Sequence, residues 1–209
     1  MLCMLTVSAD VRMPQLFQDG MVLQRGVDIP VWGWSDAGEQ ISVELLNVKG
    51  KAVSRADAFA DSEGSWRVTL PKKNIKAGGP YTLSVAWSAE STSAPSPARL
   101  CVSDVLVGDV WLCSGQSNID VTVERVYPWY TTEIDSYGNT QVRLFRVQNE
   151  TSTGGPKDDI RPTAINWKPL SKQNAWQFSA VGYFLGRRMQ VSTGVPQGII
   201  VNSWGGTPI

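Results

Sequence analysis

Apolar side chains alternate with polar ones along the first part of the chain, from about Asp10 to Trp87. This period of two is typical of strands that bury one face. Clusters rich in Gly, Asp, Asn and Pro separate the alternating segments and indicate turns. Short strands at this spacing predict an antiparallel β-sandwich. The alternating positions are Ile29 and Val31; Ile41, Val43 and Leu45; Trp66, Val68 and Leu70; and Tyr81, Leu83, Val85 and Trp87, with turns predicted at 35–39, 47–51, 61–64 and 76–80.

Residues 88–99 are rich in Ser, Ala and Pro and interrupt this alternation. Such a composition buries little apolar surface and is typical of a connection between domains. We therefore predict a β-sandwich domain over residues 10–99, with the connection at its end. A long hairpin loop within a single domain is the alternative.

The pattern changes in the second half of the chain. Residues 100–113 are rich in Val, Leu and Trp, and the second half of this run is typical of a strand buried on both faces of a parallel sheet. Further strands are indicated at 142–145 and 198–204, and between them apolar residues recur at the spacing of a helix. Strand, loop, helix and strand in this order predict an open α/β sheet over residues 100–209. The apolar helix positions are Phe178, Val181, Leu185 and Met189, with Ser179 as the N-cap and Gly194 and Pro196 at the end.

The overall composition restricts the class of partner. The 209 residues are 42% hydrophobic and 18% charged, so the chain can bury a core. The 19 Lys and Arg residues balance 19 Asp and Glu residues, and no basic run stands out. This argues against nucleic acid and against an anionic membrane surface. No run approaches the roughly 18 apolar residues of a membrane span, so we predict no membrane span.

The first nine residues, MLCMLTVSA, are apolar and end in small residues that suit a signal-peptidase site. We therefore predict that residues 1–9 are the tail of a secretory signal and that the protein is secreted or periplasmic. A disordered or strand-forming N-terminus is the alternative. Cys3 would leave with the signal. Cys101 and Cys113 would then be either a disulfide pair or two small buried apolar residues. No Cys and His cluster has zinc-ligand spacing, so we expect no metal.

Two polar, glycine-rich turns follow predicted strands, at 114–118 and at 202–207. In open α/β sheets, functional residues gather beyond the carboxyl ends of the strands. A serine on a tight turn, two residues after a glycine, can project its hydroxyl outward while its backbone N–H points at the same space. We therefore predict Ser117 as a nucleophile and oxyanion donor, with Gly205, or failing that Gly206, as a second donor. Strand-ending turns without chemistry are the alternative.

Several segments resemble the sialate O-acetylesterase family, within the wider group of SGNH hydrolases. The resemblance implies a β-rich region followed by a three-layer, flavodoxin-like α/β domain, of which this chain holds a truncated part. It also implies a serine esterase that removes acetyl groups from sugars such as sialic acid, without a cofactor. In this resemblance Ser117 is the nucleophile, the backbone of Ser117 and Gly205 holds the oxyanion, and the substrate cleft is expected at Gln116, Asn118, Asp120 and Asn202. The segments are GDVWLCSGQSN at 108–118, SAVGYFLGRRM at 179–189, GVPQGIIVNSWGGTPI at 194–209, MPQLFQDGMVLQRG at 13–26 and PVWGWSDAGE at 30–39.

The chain departs from the family pattern in two places. Family members usually have Met-Glu where this chain has Ile119-Asp120. The family's Asp and His lie beyond the Gly-Gly-Thr segment, whereas this sequence ends at Ile209 and contains no histidine. Because a serine hydroxyl without a base is a poor nucleophile, we predict little or no esterase activity for this chain alone. Other groups that could act near the serine are Lys157, Lys168, Lys172, Asp120 and Asp135, with solvated or capping roles as the alternative for the aspartates.

The sequence contains nine tryptophans, and exposed rings commonly stack on sugars. Trp66 and Trp87 are in phase with the apolar positions of their strands, so we predict that they fill the core. Trp129 and Trp176 are the candidates for a surface that faces substrate. Two rival interpretations stay open: a non-catalytic carbohydrate-binding module, in which the β-sandwich carries the function, and a gene fragment.

Overall fold

The computed structural model describes residues 11–87, 98–160 and 167–206. It has a mixed α/β fold dominated by one large sheet. Its strands are β1 (Val22–Gln24), β2 (Ile29–Trp34), β3 (Gln40–Leu46), β4 (Ala52–Phe59), β5 (Ser65–Leu70), β6 (Gly78–Trp87), β7 (Ala98–Gly115), β8 (Asn139–Arg146), β9 (Lys168–Leu170) and β10 (Gln197–Ser203). Its α-helices are α1 (Ser117–Asp120), α2 (Val123–Val126), α3 (Thr131–Asp135), α4 (Lys172–Ala175) and α5 (Ala180–Thr193), with short 3₁₀ turns at Lys72–Asn74 and Tyr127–Trp129.

The large sheet changes character along its width. Its strand order is β4-β3-β6-β7-β10-β8-β9, with β1 also paired to β7. Strands β4, β3, β6 and the first half of β7 are antiparallel neighbours. Strands β7, β10 and β8 are parallel neighbours, and β9 closes the far edge in the antiparallel sense. Strands β2 and β5 form a separate antiparallel pair.

The alternation of apolar residues predicted four of the first six strands. β2, β3, β5 and β6 cover the predicted positions, and Ile41, Val43 and Leu45 are completely buried. β4 was missed because its apolar residues alternate only over Ala56 and Ala58, and its one fully buried residue, Ser54, is polar. The turn predicted at 76–80 is wrong in its second half, since β6 already begins at Gly78.

β7 joins the antiparallel and parallel parts of the sheet. Its first half pairs with β6, and residues 109–115 pair with β10. Residues 88–97 of the predicted connection lie outside the described residues, and positions 98 and 99 are already in β7. The prediction that the second half of residues 100–113 is buried on both faces is wrong at Leu112, which is 67% exposed.

Two clusters of buried side chains cover the two faces of the parallel strands. The first includes the buried positions of β2, β3, β5 and β6, and it also takes in Phe145 and Trp167. The second lies under α5 and includes Ile199 and Val201 of β10. One core therefore contains residues from both sides of position 99, and the division of the chain at that position stays a prediction.

Helix α5 begins and ends where the sequence predicts. The Ser179 hydroxyl caps it by accepting a hydrogen bond from the Gly182 N–H (3.2 Å), and Gly194 ends it with φ 68°. The predicted buried face is partly wrong, because Val181 is 45% exposed. Gly182 and Gly186 instead face the sheet, where a Cβ on either would come within 2.9 Å of a neighbouring side chain. Small residues thus let the helix lie close to β10.

The cysteines and two of the tryptophans can be compared with the sequence predictions. Cys101 and Cys113 are free, and since both lie on β7, twelve residues or roughly 40 Å of extended strand apart, they cannot pair. Cys113 is buried as one alternative expected, but Cys101 is exposed. Trp66 and Trp87 are buried, which confirms their core role. Residues 1–9 and Cys3 lie outside the described residues, and none of the described helices is both long and apolar enough to cross a membrane.

Candidate active site

The two predicted turns lie at the same edge of the sheet. β7 ends at Gly115 and β10 ends at Ser203, and these two residues are paired in the parallel register. The Trp204 N–H also donates to the Gly115 carbonyl at 3.3 Å. Because the strands are parallel neighbours, the chain leaves both of them at the same edge.

Ser117 and Gly205 lie beside each other across these turns. A Cβ placed on Gly205 would lie 3.8 Å from the Ser117 Cα and 4.0 Å from the Ser117 Cβ. Ser117 is exposed rather than packed in the core. The first residues of a helix have N–H groups without an intrahelical acceptor, and Ser117 is the first residue of α1. The arrangement thus brings a serine hydroxyl, its backbone N–H and a glycine turn together.

The turn that carries Ser117 depends on a glycine. Gly115 has φ 156°, a conformation that side chains disfavour, and a Cβ there would lie 2.9 Å from Ile119 Cγ1. The Gln116 carbonyl accepts hydrogen bonds from the N–H groups of Ile119 (3.0 Å) and Asp120 (3.1 Å) and so starts α1. Gln116 is half-buried and Asn118 is exposed beside the serine.

Asp120 connects the two turns. Its Oδ1 accepts hydrogen bonds from Ser203 Oγ (2.5 Å) and Arg146 Nη2 (2.8 Å), and its Oδ2 accepts one from the Gly205 N–H (2.6 Å). The side chains of Arg146 and Asp120 are 25% and 23% exposed, so the ion pair is partly shielded from water. Arg146 is held from its other side by the Gln177 carbonyl at 3.2 Å.

These contacts bear on the predicted oxyanion donors. The Gly205 N–H donates to Asp120, so it must release or share that bond before it can stabilise an oxyanion. Gly206 is exposed and has φ 81°, which a glycine adopts readily. The roles of Ser117, Gly205 and Gly206 stay predictions, as does the assignment of Asp120 to the substrate cleft.

A cavity of about 420 Å³ opens at the same edge of the sheet. It is bounded by the ends of β7 and β10 and by the loop that follows β8. Of the predicted cleft residues, Asn202 lines the cavity, whereas Gln116, Asn118 and Asp120 do not, and the predicted nucleophile Ser117 lies outside the lining as well. The lining includes Lys157 and, from the ends of β7 and β10, Ser114, Gly115, Asn202, Ser203 and Trp204.

Three of the groups considered as alternative catalytic residues, Lys157, Lys172 and Asp135, have other partners. Lys157 forms an ion pair with Glu150 at 2.6 Å. Lys172 donates to Asp135 (2.6 Å) and to the Tyr127 hydroxyl (2.8 Å), and the hydrogen bond to Asp135 raises the pKa of Lys172. A lysine whose pKa is raised stays protonated, which is the wrong state for a general base. Lys168 lies on β9, where it is exposed.

Arg146 and Ser203 are site residues that the sequence reasoning missed. Each stands at the end of a strand that was predicted, at 142–145 and at 198–204, so the only available signal was a polar residue at a strand end. That signal is common, because strands usually end in polar residues. The partner of each residue is distant in the sequence, and only the fold brings them to Asp120.

Comparison with known proteins defines the class of this fold. A solved structure of a carbohydrate acetylesterase from Xanthomonas citri is similar, with a TM-score of 0.78 and 38% identity over 95% of this chain and 41% of that chain. The chain thus shares the fold of part of a carbohydrate acetylesterase. No family model matches the sequence.

The curated relatives are more specific. The chain is 32% identical to the sialate O-acetylesterase of Rattus norvegicus, over 90% of this chain and 35% of the rat protein. It is 30% identical to the sialate O-acetylesterase of Homo sapiens, over 95% of this chain and 38% of the human protein. The chain is therefore a homologue of the sialate O-acetylesterases, as the resemblance predicted, and it spans about a third of the length of these relatives.

Proposed function

We propose that this chain supplies the nucleophile and part of the oxyanion site of a carbohydrate O-acetylesterase. The observation that carries the proposal is the position of Ser117 beside Gly205 at the carboxyl ends of two parallel strands, in a homologue of acetylesterases. The proposed architecture is an antiparallel β-sandwich followed by a truncated SGNH-type α/β domain. The core that β2 and β5 share with β3 and β6 supports the first part.

The proposed mechanism is acyl transfer through Ser117. The Ser117 Oγ forms a bond to the acetyl carbon while its proton passes to a base, and the N–H groups of Ser117 and of Gly205 or Gly206 stabilise the oxyanion. The tetrahedral intermediate then breaks its bond to the sugar oxygen, which takes up a proton. Water hydrolyses the acetyl-serine in the same way, releasing acetate. Since this sequence contains no histidine, we propose that the base comes from residues outside it.

The proposed substrate is an O-acetylated sugar such as an acetylated sialic acid. The cavity beside the two turns has a mixed lining that suits a sugar, with hydroxyl and amide groups from Ser114 and Asn202 and an aromatic ring from Trp204. Secretion or export to the periplasm remains part of the proposal.

Chemical rescue with imidazole tests the role of Ser117. We expect little or no release of acetate from an O-acetylated sugar by the chain alone, and faster release when imidazole supplies the base. Ser117→Ala should abolish the part of the rate that depends on protein, whereas the exposed turn variant Ser62→Ala should not change it. Acetate release should be measured by an enzyme-coupled assay.

Two results would contradict the proposal. One is rescued turnover that survives Ser117→Ala, which would exclude this serine as the nucleophile. The other is the absence of any Ser117-dependent turnover at high imidazole.

One observation favours a second function, non-catalytic binding of carbohydrate. Trp129 is 75% exposed, and a ring in the open is suited to stacking on a sugar. Glycan binding that is unaffected by Ser117→Ala, lost in Trp129→Ala and unaccompanied by rescued acetate release would support this function over the esterase. Calorimetry with O-acetylated and unacetylated sugars makes the distinction.

A further inference from the structure

We propose that Asp120 is a positioning residue that holds the Gly205 turn against Ser117. The proposal rests on the proposed function for its catalytic meaning, but the positioning itself is a structural statement that can be tested without any turnover. It assigns to Asp120 a role inside the protein rather than contact with substrate.

Several structural elements meet at the Asp120 carboxylate. Asp120 is the last residue of α1, and its oxygens bind Arg146 at the end of β8, Ser203 at the end of β10 and Gly205 in the turn beyond. The ends of two parallel strands, β8 and β10, and the turn that follows β10 are thereby tied to the helix that begins with Ser117.

Both carboxylate oxygens of Asp120 accept hydrogen bonds, and each has different donors. Oδ1 accepts from Ser203 and Arg146, and Oδ2 accepts from Gly205. A group in this place must therefore accept hydrogen bonds with both of its terminal atoms. An aspartate or glutamate does so, whereas asparagine has the same shape but presents an NH₂ donor on one side. Asparagine would thus oppose either the Gly205 N–H or the Arg146 guanidinium.

The hydrogen bonds of Asp120 restrain the Gly205 turn strongly. Hydrogen bonds to a charged group are stronger than neutral ones, and this carboxylate is only 23% exposed. Arg146 is itself fixed by the Gln177 carbonyl, so the carboxylate has a rigid partner on the side away from Gly205. Since Gly205 lies beside the Cα and Cβ of Ser117, a small movement of its turn changes the space in front of the serine hydroxyl.

Amide hydrogen exchange measured by NMR on the ¹⁵N-labelled chain tests the positioning directly. We expect the Gly205 amide to be protected in the wild type and to exchange about ten- to a hundredfold faster in Asp120→Asn, because a hydrogen bond to a carboxylate is lost. Asp120→Glu, which keeps an acceptor on both sides, should retain most of the protection. The Gly194 amide, which donates to the Gln190 carbonyl in α5, is the internal reference and should not change.

Asp135→Asn is the matched control, since it removes a carboxylate that is bound to Lys172 and Tyr127 instead. It should leave Gly205 exchange unchanged. The positioning role is overturned if the Gly205 amide of the folded wild type exchanges without protection, or if Asp120→Asn leaves its exchange unchanged. The wild-type measurement and Asp120→Glu keep the test decisive if Asp120→Asn fails to fold.

The imidazole-rescued assay separates this role from the proposed function. We expect Asp120→Asn to lower kcat about tenfold or more with little change in KM, and Asp120→Glu to restore most of it. A higher kcat in Asp120→Asn would overturn the proposal, because Asp120 would then compete with the oxyanion for Gly205. If Gly205 protection depends on Asp120 but no Ser117-dependent turnover exists, the positioning role stands and the esterase proposal fails.

Discussion

Gly108 allows two segments of the chain to approach each other closely because it has no side chain. It lies in β7, where the Pro196 carbonyl comes so close that a Cβ would be 1.9 Å from the oxygen. The Asp109 N–H donates to this same carbonyl at 3.0 Å. Glycine is needed here for close backbone contact and not for a left-handed conformation, and this contact sets where β10 begins beside β7.

Replacing Gly108 with alanine should therefore destabilise the protein. The obstacle is a backbone oxygen and not the end of a flexible side chain, so we expect the free energy of unfolding to fall by about 3 kcal/mol. Gly154→Ala is the matched control, because nothing lies within 4 Å of its added Cβ. Urea denaturation monitored by tryptophan fluorescence gives both values. Equal stability of the two variants would show that β7 and the loop before β10 can separate at little cost.

At the scale of elements, the ends of α5 depend on adjacent residues, whereas its buried face depends on packing against the sheet. Ser179 at its start and Gly194 at its end could be predicted from the sequence, because capping depends on adjacent residues. The buried face could not be predicted, because the residues nearest to β10 are Gly182 and Gly186, and a glycine does not contribute to the pattern of apolar side chains. The helix lies close to the sheet through its small residues, and larger apolar residues such as Val181 are left partly exposed.

The cap of α5 leads to a prediction about stability. The Ser179 hydroxyl is fully buried and accepts from the Gly182 N–H, so Ser179→Ala leaves a buried donor without its partner. We expect a loss of about 1–2 kcal/mol in the free energy of unfolding. Ser192→Ala, the same change at an exposed position of the same helix, should be neutral or slightly stabilising. Thermal denaturation followed by circular dichroism would compare them, and equal losses would argue against the cap.

At the scale of the whole molecule, one ion pair joins the N-terminal part of the chain to the parallel strands. Arg25 follows β1 and donates two hydrogen bonds to Asp109 of β7, at 2.8 and 3.0 Å. These bonds lower the pKa of the Asp109 carboxyl below its ordinary value. The shared core cluster connects the same two regions through apolar contacts. The N-terminal part of the chain thus helps to stabilise the sheet whose edge carries Ser117 and Gly205.

The lowered pKa of Asp109 predicts a pH dependence. The folded state favours the ionised carboxylate, so the contribution to stability is complete above the unfolded pKa of about 3.9 and is lost as the pH falls through the lower folded pKa. Asp109→Asn should lower Tm at pH 7 by about 1–3 °C, and its difference from the wild type should shrink below about pH 4. Glu63→Gln, in an exposed turn, is the control. A difference that widened in acid would contradict the assignment.

The sequence by itself determined the features that depend on neighbouring residues. The strands with apolar alternation, both ends of α5 and the two turns at 114–118 and 202–207 follow from local conformational preference and burial. It missed β1, which is only three residues long, β4, which has little apolar alternation, and the exposure of Leu112, which depends on what covers that face of the sheet.

Only the tertiary structure decided which distant groups meet. The parallel pairing of β7 with β10 places Gly205 beside Ser117, and the addition of β8 brings Arg146 to Asp120. Nothing in the spacing of these residues along the chain encodes that three donors share one carboxylate. The reason is physical: the polar contacts of the site are set by the register of strands that are far apart in sequence, and that register is selected by the packing of the whole sheet.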